Sequence, residues 1–451
     1  MEQDLRGLPV SSGSVRALEQ YELALRQFQS YVGDPVATID AALAEAPDFV
    51  AGHLLRALVL MTLTEKAVVA DIEASLGQAL RYHERANDRE RGLMRAVRGF
   101  LDGDWDAACR QLDRVLVDHP RDALALQAAH IMDFFRGDAL NLRNRVSRVM
   151  PHWSAAVPGY SYVLGMHAFG LEEMNQYAEA EATGRAALAI EAKDAWAVHA
   201  VTHVMEMQGR VGDGIAWLTS READWSPDNA FAFHNWWHLA LFYMDGARFD
   251  EALALYDARI HPEPAQFALT MVDATALLWR LSLEGVDTGS RFATLADEWE
   301  ARLDRDRGFY AFNDAHAMLA FVAAGRTDAI ARLAANLSVA AASTGTNAVV
   351  TRDVGLQLAQ GIEAFGRGRF ADAIDYIEPV RDIAQRLGGS HAQRDVITLT
   401  LIEAAIRGGQ PARAAHFIAE RKAQRPGGAW GMRLARRAEG AGSPVGARAI
   451  A

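Results

Sequence analysis

Asn175-Gln-Tyr-Ala-Glu-Ala-Glu, continuing to Arg185-Ala-Ala-Leu-Ala-Ile, ends one helix, turns, and begins another. The same phrase recurs as Gly246-Ala-Arg-Phe-Asp-Glu-Ala-Leu-Ala-Leu-Tyr, as Gly368-Arg-Phe-Ala-Asp-Ala-Ile and as Gly103-Asp-Trp-Asp-Ala-Ala. In each, a turn residue is followed by an aromatic and then by a small alanine. The aromatic plugs the gap between two paired helices, and the alanine lets them approach closely. This is the helix–turn–helix unit of tetratricopeptide repeats, about 34 residues long. His119-Pro120 sits where such a repeat closes.

Working outward, helical periodicity runs almost end to end and strand-like alternation is nearly absent. The leading helices of the clearest units are predicted near 163–174, 194–208, 230–245, 265–284, 308–324 and 354–367. The spacing predicts an all-α, tetratricopeptide-like α-solenoid, each hairpin burying its apolar face on its neighbours. The parts expected are an N-terminal arm (1–18), degenerate repeats (19–150), central repeats (151–335), C-terminal repeats (336–435) and a flexible tail (436–451). The later units exceed the standard length, so inserted loops are expected at 285–308 and 336–353.

Composition fits this picture. The chain has 451 residues, half of them hydrophobic, with 13 Pro and 36 Gly. That excludes a collagen-like or disordered chain. The net charge of −12 comes without a long basic run, which argues against nucleic acid as a partner because phosphate binding needs clustered Lys and Arg. The lone Cys109 excludes an intramolecular disulfide and a cysteine zinc cage. The charged N-terminus lacks an apolar signal-peptide core, and Val149 to Leu171 is broken by Pro151, Pro158 and Gly159, so a cytoplasmic protein without a membrane partner is expected.

The histidines are placed less blandly. His199 and His203, then His234 and His238, are spaced i, i+4, which puts each pair on one helix face. The pairs lie one repeat length apart, on the leading helices of consecutive units, where an inner concave wall is expected. Glu206 extends the first stripe. Asp273 and Arg280 share a face of the next leading helix, and Asn313, Asp314 and His316 begin the one after. Eight of the ten tryptophans lie between Trp153 and Trp299, bracketing this region. Aromatic walls with a few polar groups suit a small-molecule pocket.

Each feature has a plainer reading beside the functional one. A buried histidine is commonly a hydrogen-bonded core residue. Asn235 and Asp314 sit near helix starts, where capping is the ordinary role. Asp273 and Arg280 can form a structural ion pair, and Trp236 and Trp237 can simply pack. The functional reading assigns acid–base or ligand roles to His199, His203, Glu206, His234, His238, Asp314 and His316. Asn235, Trp237, Asp273, Arg280 and Asn313 would bind substrate, Arg280 through a carboxylate. The four paired histidines could hold zinc or manganese, although no His-Glu-x-x-His motif is present. No nucleotide cofactor is expected, since neither a P-loop nor a Rossmann glycine fingerprint occurs.

The runs His199-Ala-Val-Thr-His-Val-Met-Glu-Met, His234-Asn-Trp-Trp-His-Leu-Ala-Leu-Phe-Tyr and Phe312-Asn-Asp-Ala-His resemble the tetratricopeptide repeat protein 38 family, of bacterial type. Thr351-Arg-Asp-Val-Gly-Leu and Leu387-Gly-Gly-Ser-His-Ala-Gln-Arg-Asp-Val fit it too, over residues 20 to 430. The resemblance implies the solenoid fold and a soluble intracellular protein, and it adds Arg352, Asp353, Arg394 and Asp395 to the substrate-binding set. It carries no reaction. Two functions follow from the residues. One is a pocket for a small molecule with hydrolase- or lyase-type acid–base chemistry, metal-assisted if the histidines ligate. The alternative is a scaffold gripping a peptide or protein partner, or a second copy of itself.

Overall fold

The computed structural model describes residues 2–11, 14–265 and 267–441, and these form an all-α, tetratricopeptide-like repeat fold. The repeated phrase works as its composition dictates. Asn175, Gly103 and Gly368 adopt the left-handed conformation that ends a helix. In the Gly246 unit that conformation falls on Ala247 instead. The alanines three residues after each aromatic, Ala108, Ala180, Ala252 and Ala373, are fully buried where the paired helices meet. Trp105 stacks on Phe100 at 5.4 Å, and Phe370 meets Phe365 at 5.5 Å, so the aromatic does fill the gap in those units.

The leading helices run Tyr160–Glu173, Ala195–Met207, Ala232–Asp245, Ala268–Leu283, Ala311–Ala323 and Leu356–Gly366. Their trailing partners are Tyr177–Ile190, Val211–Ser220, Phe249–Leu255, Arg291–Asp306, Thr327–Ala342 and Phe370–Ile377. Both expected loops are therefore helical. Phe292, Leu295, Ala296, Trp299 and Leu303 recur at helical spacing and are buried, so the first extra stretch is a trailing helix. In the second, helix continues to Ala342 because Leu333, Leu337, Ala340 and Ala341 also share a face, and the break is confined to Ser343–Gly345. The expected tail begins too early, since helix Ala429–Ala441 includes residues 436–441; residues 442–451 lie outside the described residues.

The described chain divides into two compact units, Met1–Val201 with Arg221–Ala232, and Thr202–Ser220 with Phe233 onward. The first unit opens with a short antiparallel pair, Glu2–Gln3 with Pro9–Val10, within the segment expected as an N-terminal arm. Arg6 bonds Glu22 at 2.7 Å and Ser11 N–H donates to Glu90 at 2.9 Å, which pins this hairpin. The Asn229 side chain donates to Ser30 O, and Tyr31, Trp196 and Phe231 meet ring to ring.

The second unit winds tightly on itself. Helix Ala268–Leu283 packs not only on its sequence neighbours but on helix His391–Arg407, where Trp279 Nε1 donates to Thr400 Oγ1 at 2.9 Å. Winding of that degree brings helix His391–Arg407 against a helix more than a hundred residues before it in the same unit. No helix among the described residues is long and apolar enough to cross a membrane.

Candidate functional site

Three histidines converge in the second unit. His203 comes from helix Ala195–Met207, and His234 and His238 from helix Ala232–Asp245. The ring centroids of His203 and His238 are 4.4 Å apart, and those of His234 and His238 are 4.8 Å apart. Each ring offers a nitrogen within 4.8 Å of the others, and all three residues are buried. The i, i+4 spacing stacks His234 and His238 one turn apart, and the preceding hairpin brings His203 to the same point.

Carboxylates from flanking helices fix the rings. His234 Nδ1–H donates to Asp273 at 2.5 Å, and His238 Nδ1–H donates to Glu206 at 2.8 Å. With Nδ1 committed as a donor, Nε2 carries the lone pair in the neutral ring, so the carboxylate selects tautomer and orientation together. Burial, then the neighbouring rings and the Arg425 and Arg280 guanidiniums, hold His238 well below the ordinary imidazole value. It is neutral at pH 7, the form that binds a metal or takes a proton.

The carboxylates are held in turn. The second oxygen of Asp273 accepts from Gln393 Nε2 at 3.2 Å, and that of Glu206 meets Arg425 at 2.8 Å. Arg421 clasps Asp395 through two bonds of 2.8 Å, with Arg425 a further 3.5 Å from it. Burial alone would raise the Asp395 carboxyl, but Arg421 and Arg425 outweigh it and hold the group below the usual carboxylate range. Trp237, fully buried, lies against His234 with its ring nearly parallel at 5.3 Å and against the Arg280 guanidinium at 5.3 Å. Asn235 is buried on the same helix.

Arg280 makes no ion pair with Asp273. Its guanidinium donates to the carbonyls of Ala276, Ala392 and Gln393, and burial lowers it to about 10. These contacts tie helix Ala268–Leu283 to the start of helix His391–Arg407. The sequence placed Arg280 on the right face but not against these carbonyls.

The other sequence-selected residues have surroundings of their own. His199, one turn before His203, belongs to the first unit, where its ring packs on Phe169, Trp196 and Phe231 at 5.0–5.2 Å. His316 Nδ1–H donates to Phe312 O, and burial lowers its imidazole to about 4. It lines a small apolar pocket with Phe312, Leu358, Leu387, Arg394 and Ile397. Arg394 bonds Gly389 O and His391. Asn313 is half-buried, and Asp314 is buried within the first turn of its helix, where burial and then Asp306 raise it to about 8. Arg352 donates to Ala341 O, and Asp353 pairs with Arg386 at 2.8 Å, both on the π-helical segment Thr351–Gly355.

Sequence reasoning missed Gln393, Arg421 and Arg425. Ser390-x-x-Gln393 is a readable capping-box signature, which marks a helix start but not what Gln393 reaches. Arg425, just before Pro426-Gly427-Gly428, carries no signal of its own.

No family model matches this chain. Among solved structures, a human IFIT1 dimer with m7Gppp-AAAA is similar over 94% of this chain and 95% of that one, at 13% identity and a TM-score of 0.44. A monomeric IFIT1 mutant with Gppp-AAAA is similar over 93% and 99%, at 14% identity and a TM-score of 0.41. Likeness at this level transfers no ligand.

Proposed function

We propose that the second unit binds a divalent transition metal through His203, His234 and His238, and uses the centre on a small-molecule ligand in hydrolase- or lyase-type chemistry. The observation that carries this reading is the pair of carboxylate–imidazole contacts, Asp273 to His234 and Glu206 to His238. Metal-binding histidines ordinarily donate their second ring N–H to such a group. Three neutral imidazoles suit zinc better than manganese, which prefers oxygen ligands. A bound zinc would supply Lewis-acid polarisation of a carbonyl or phosphoryl oxygen. The chain's own part is to keep His238 neutral, to orient the rings of His234 and His238 through their Nδ1 protons, and to exclude water with Trp237. We also take the chain as a cytoplasmic relative of the tetratricopeptide repeat protein 38 family, on the residue runs quoted above.

The test is elemental analysis and mass spectrometry of protein purified without chelator, followed by calorimetric titration of the stripped protein with zinc and manganese. Equimolar zinc is expected, with uptake abolished in His203→Gln and His238→Gln while helicity and melting stay near wild type. Absence of uptake by the stripped wild type removes the metal, and loss of stability in the variants without any binding to lose returns the histidines to a core role.

A further inference from the structure

The carboxylate that orients His238 is itself held from the far end of the chain. Helix Pro411–Gln424 ends at Arg425, whose guanidinium meets Glu206 at 2.8 Å. Pro426-Gly427-Gly428 then crosses the turn after helix Ala195–Met207, with Gly427 packed backbone to backbone against Gly209. Helix Ala429–Ala441 follows and docks on the C-terminal ends of helices Ala232–Asp245, Ala268–Leu283 and His391–Arg407. Ala429 N–H donates to Asp245 at 2.6 Å and Trp430 Nε1 to Glu284 at 2.8 Å. Arg433 donates to Met244 O at 2.7 Å and Arg437 to Glu403 at 2.6 Å. Cations and donors at helix C-termini are favourably placed by the helix dipole and by its unmet carbonyls.

We propose that residues 425–441 form a latch that sets the orientation of His238, with Arg425 as the positioning residue acting through Glu206. The inference extends the reading of the histidine centre given above, but its primary readout needs no metal. When the latch is docked, Arg425 fixes one Glu206 oxygen and leaves the other aimed at His238 Nδ1–H. When it is displaced, Glu206 loses its cation and the ring loses its fixed acceptor. His234, held by Asp273 and Gln393, does not depend on the latch.

Gly427→Ala tests this without altering any side chain of the centre. A Cβ there would lie 2.7 Å from Gly209 Cα and 2.8 Å from Gln208 O, backbone atoms that cannot swing aside, so the strap must shift. Gly427 has no positive φ, so the substitution adds no backbone strain of its own. The Nδ1–H resonances of His234 and His238 would be followed by NMR of the metal-stripped, histidine-labelled protein, assigned with His238→Gln. Zinc affinity would be measured in parallel. Gly427→Ala and Arg425→Ala should both shift or broaden the His238 signal and spare that of His234, Arg425→Lys should recover most of it, and Arg433→Ala should move it less in the same direction. Zinc binding should weaken about three- to tenfold in the first two, one step below the 10–100-fold typical of a direct outer partner. A His238 signal unmoved in Gly427→Ala overturns the latch, and one unmoved in Arg425→Ala overturns the positioning role. If the wild type takes up no zinc, the metal reading fails by itself and the NMR result still decides the latch. Should Gly427→Ala not fold, Arg433→Ala decides it: an unmoved His238 signal overturns it.

Discussion

In the first unit, buried charge closes on itself. Arg89 lies 3.0 Å from Asp122, with both side chains about 1% exposed, and Asp133 receives Arg145 at 2.8 and 3.1 Å and Arg136 at 2.8 Å. One of its histidines, His130, sits among Phe169 and Trp196, pushed by burial down to about 3. The second unit is built from the same hairpin, yet its buried polar groups form a chain that ends on three converging imidazoles. A guanidinium–carboxylate pair satisfies both partners and offers a ligand nothing. An imidazole held at Nδ1 by a carboxylate is oriented and still keeps an acceptor nitrogen. Repeat architecture thus fixes where inward residues stand, and residue chemistry alone decides whether they lock helices together or make a site.

The largest effect expected from breaking this contrast is in the first unit. Asp122→Ala strands Arg89 in the interior and also removes the cap bond to Ala125 N–H. It should cost roughly 3–5 kcal/mol, the penalty for a buried charge left without its partner. Denaturant unfolding measures it, and zinc uptake per folded molecule should not change. A cost under about 1 kcal/mol would mean that these pairs are not what holds the first unit together.

The fold was legible because hairpin periodicity is local: the aromatic, the alanine three residues on and the turn residue lie within one stretch of chain. The histidine site was legible in part for the same reason. His203, His234 and His238 share helix faces one repeat apart, and Glu206 and Asp273 lie on faces that adjoin them. What could not be read is how tightly the second unit winds, since that depends on small rotations accumulated over several hairpins. Gln393 and Arg425 therefore gave no warning of reaching Asp273 and Glu206, and Arg280 was matched to a carboxylate when it serves three backbone carbonyls. The loop expectations at 285–308 and 336–353 failed because excess repeat length was read as insertion, although apolar residues there keep helical spacing.

A second, smaller effect sharpens the comparison through pH. Each unit buries a carboxyl that is raised, chiefly by desolvation: Asp194 in the first, to about 7, and Asp314 in the second, to about 8. Asp194 is raised less because it accepts from Ala197 N–H at 2.9 Å. A carboxyl whose folded value exceeds its unfolded value near 3.9 binds its proton more tightly in the native state. Its contribution is full below about pH 4, falls as pH rises, and is gone above the folded value. Wild-type stability should therefore drop between pH 5 and 8, by about 2–4 kcal/mol for Asp314. Asp314→Asn should flatten that part of the slope, and Asp194→Asn should flatten a part that ends about one pH unit lower. Thermal melts across the range check this, and an Asp314→Asn variant with the wild-type slope would show that the carboxyl ionises normally.

The smallest expected effect is also the most discriminating, because it applies one change to both units. Each contains a capping box. In the first, Asn87 accepts from Glu90 N–H at 2.9 Å and Glu90 accepts from Asn87 N–H at 3.0 Å. In the second, Ser390 accepts from Gln393 N–H at 3.2 Å and Gln393 accepts from Ser390 N–H at 3.1 Å. Loss of either cap should cost about 1 kcal/mol. The two boxes differ in what the third residue does with its remaining bond. Glu90 accepts from Ser11 N–H and stays within the scaffold, whereas Gln393 donates to Asp273, which holds His234. Asn87→Ala should then lower stability and leave zinc affinity at the wild-type value. Ser390→Ala should lower stability equally and also weaken zinc by about three- to tenfold, one step below the 10–100-fold typical of a direct outer partner. Denaturation and calorimetry on both variants give the four numbers. Equal zinc affinity in the two would mean that Gln393 keeps its amide on Asp273 without the box, and that the second unit's cap is as purely structural as the first's.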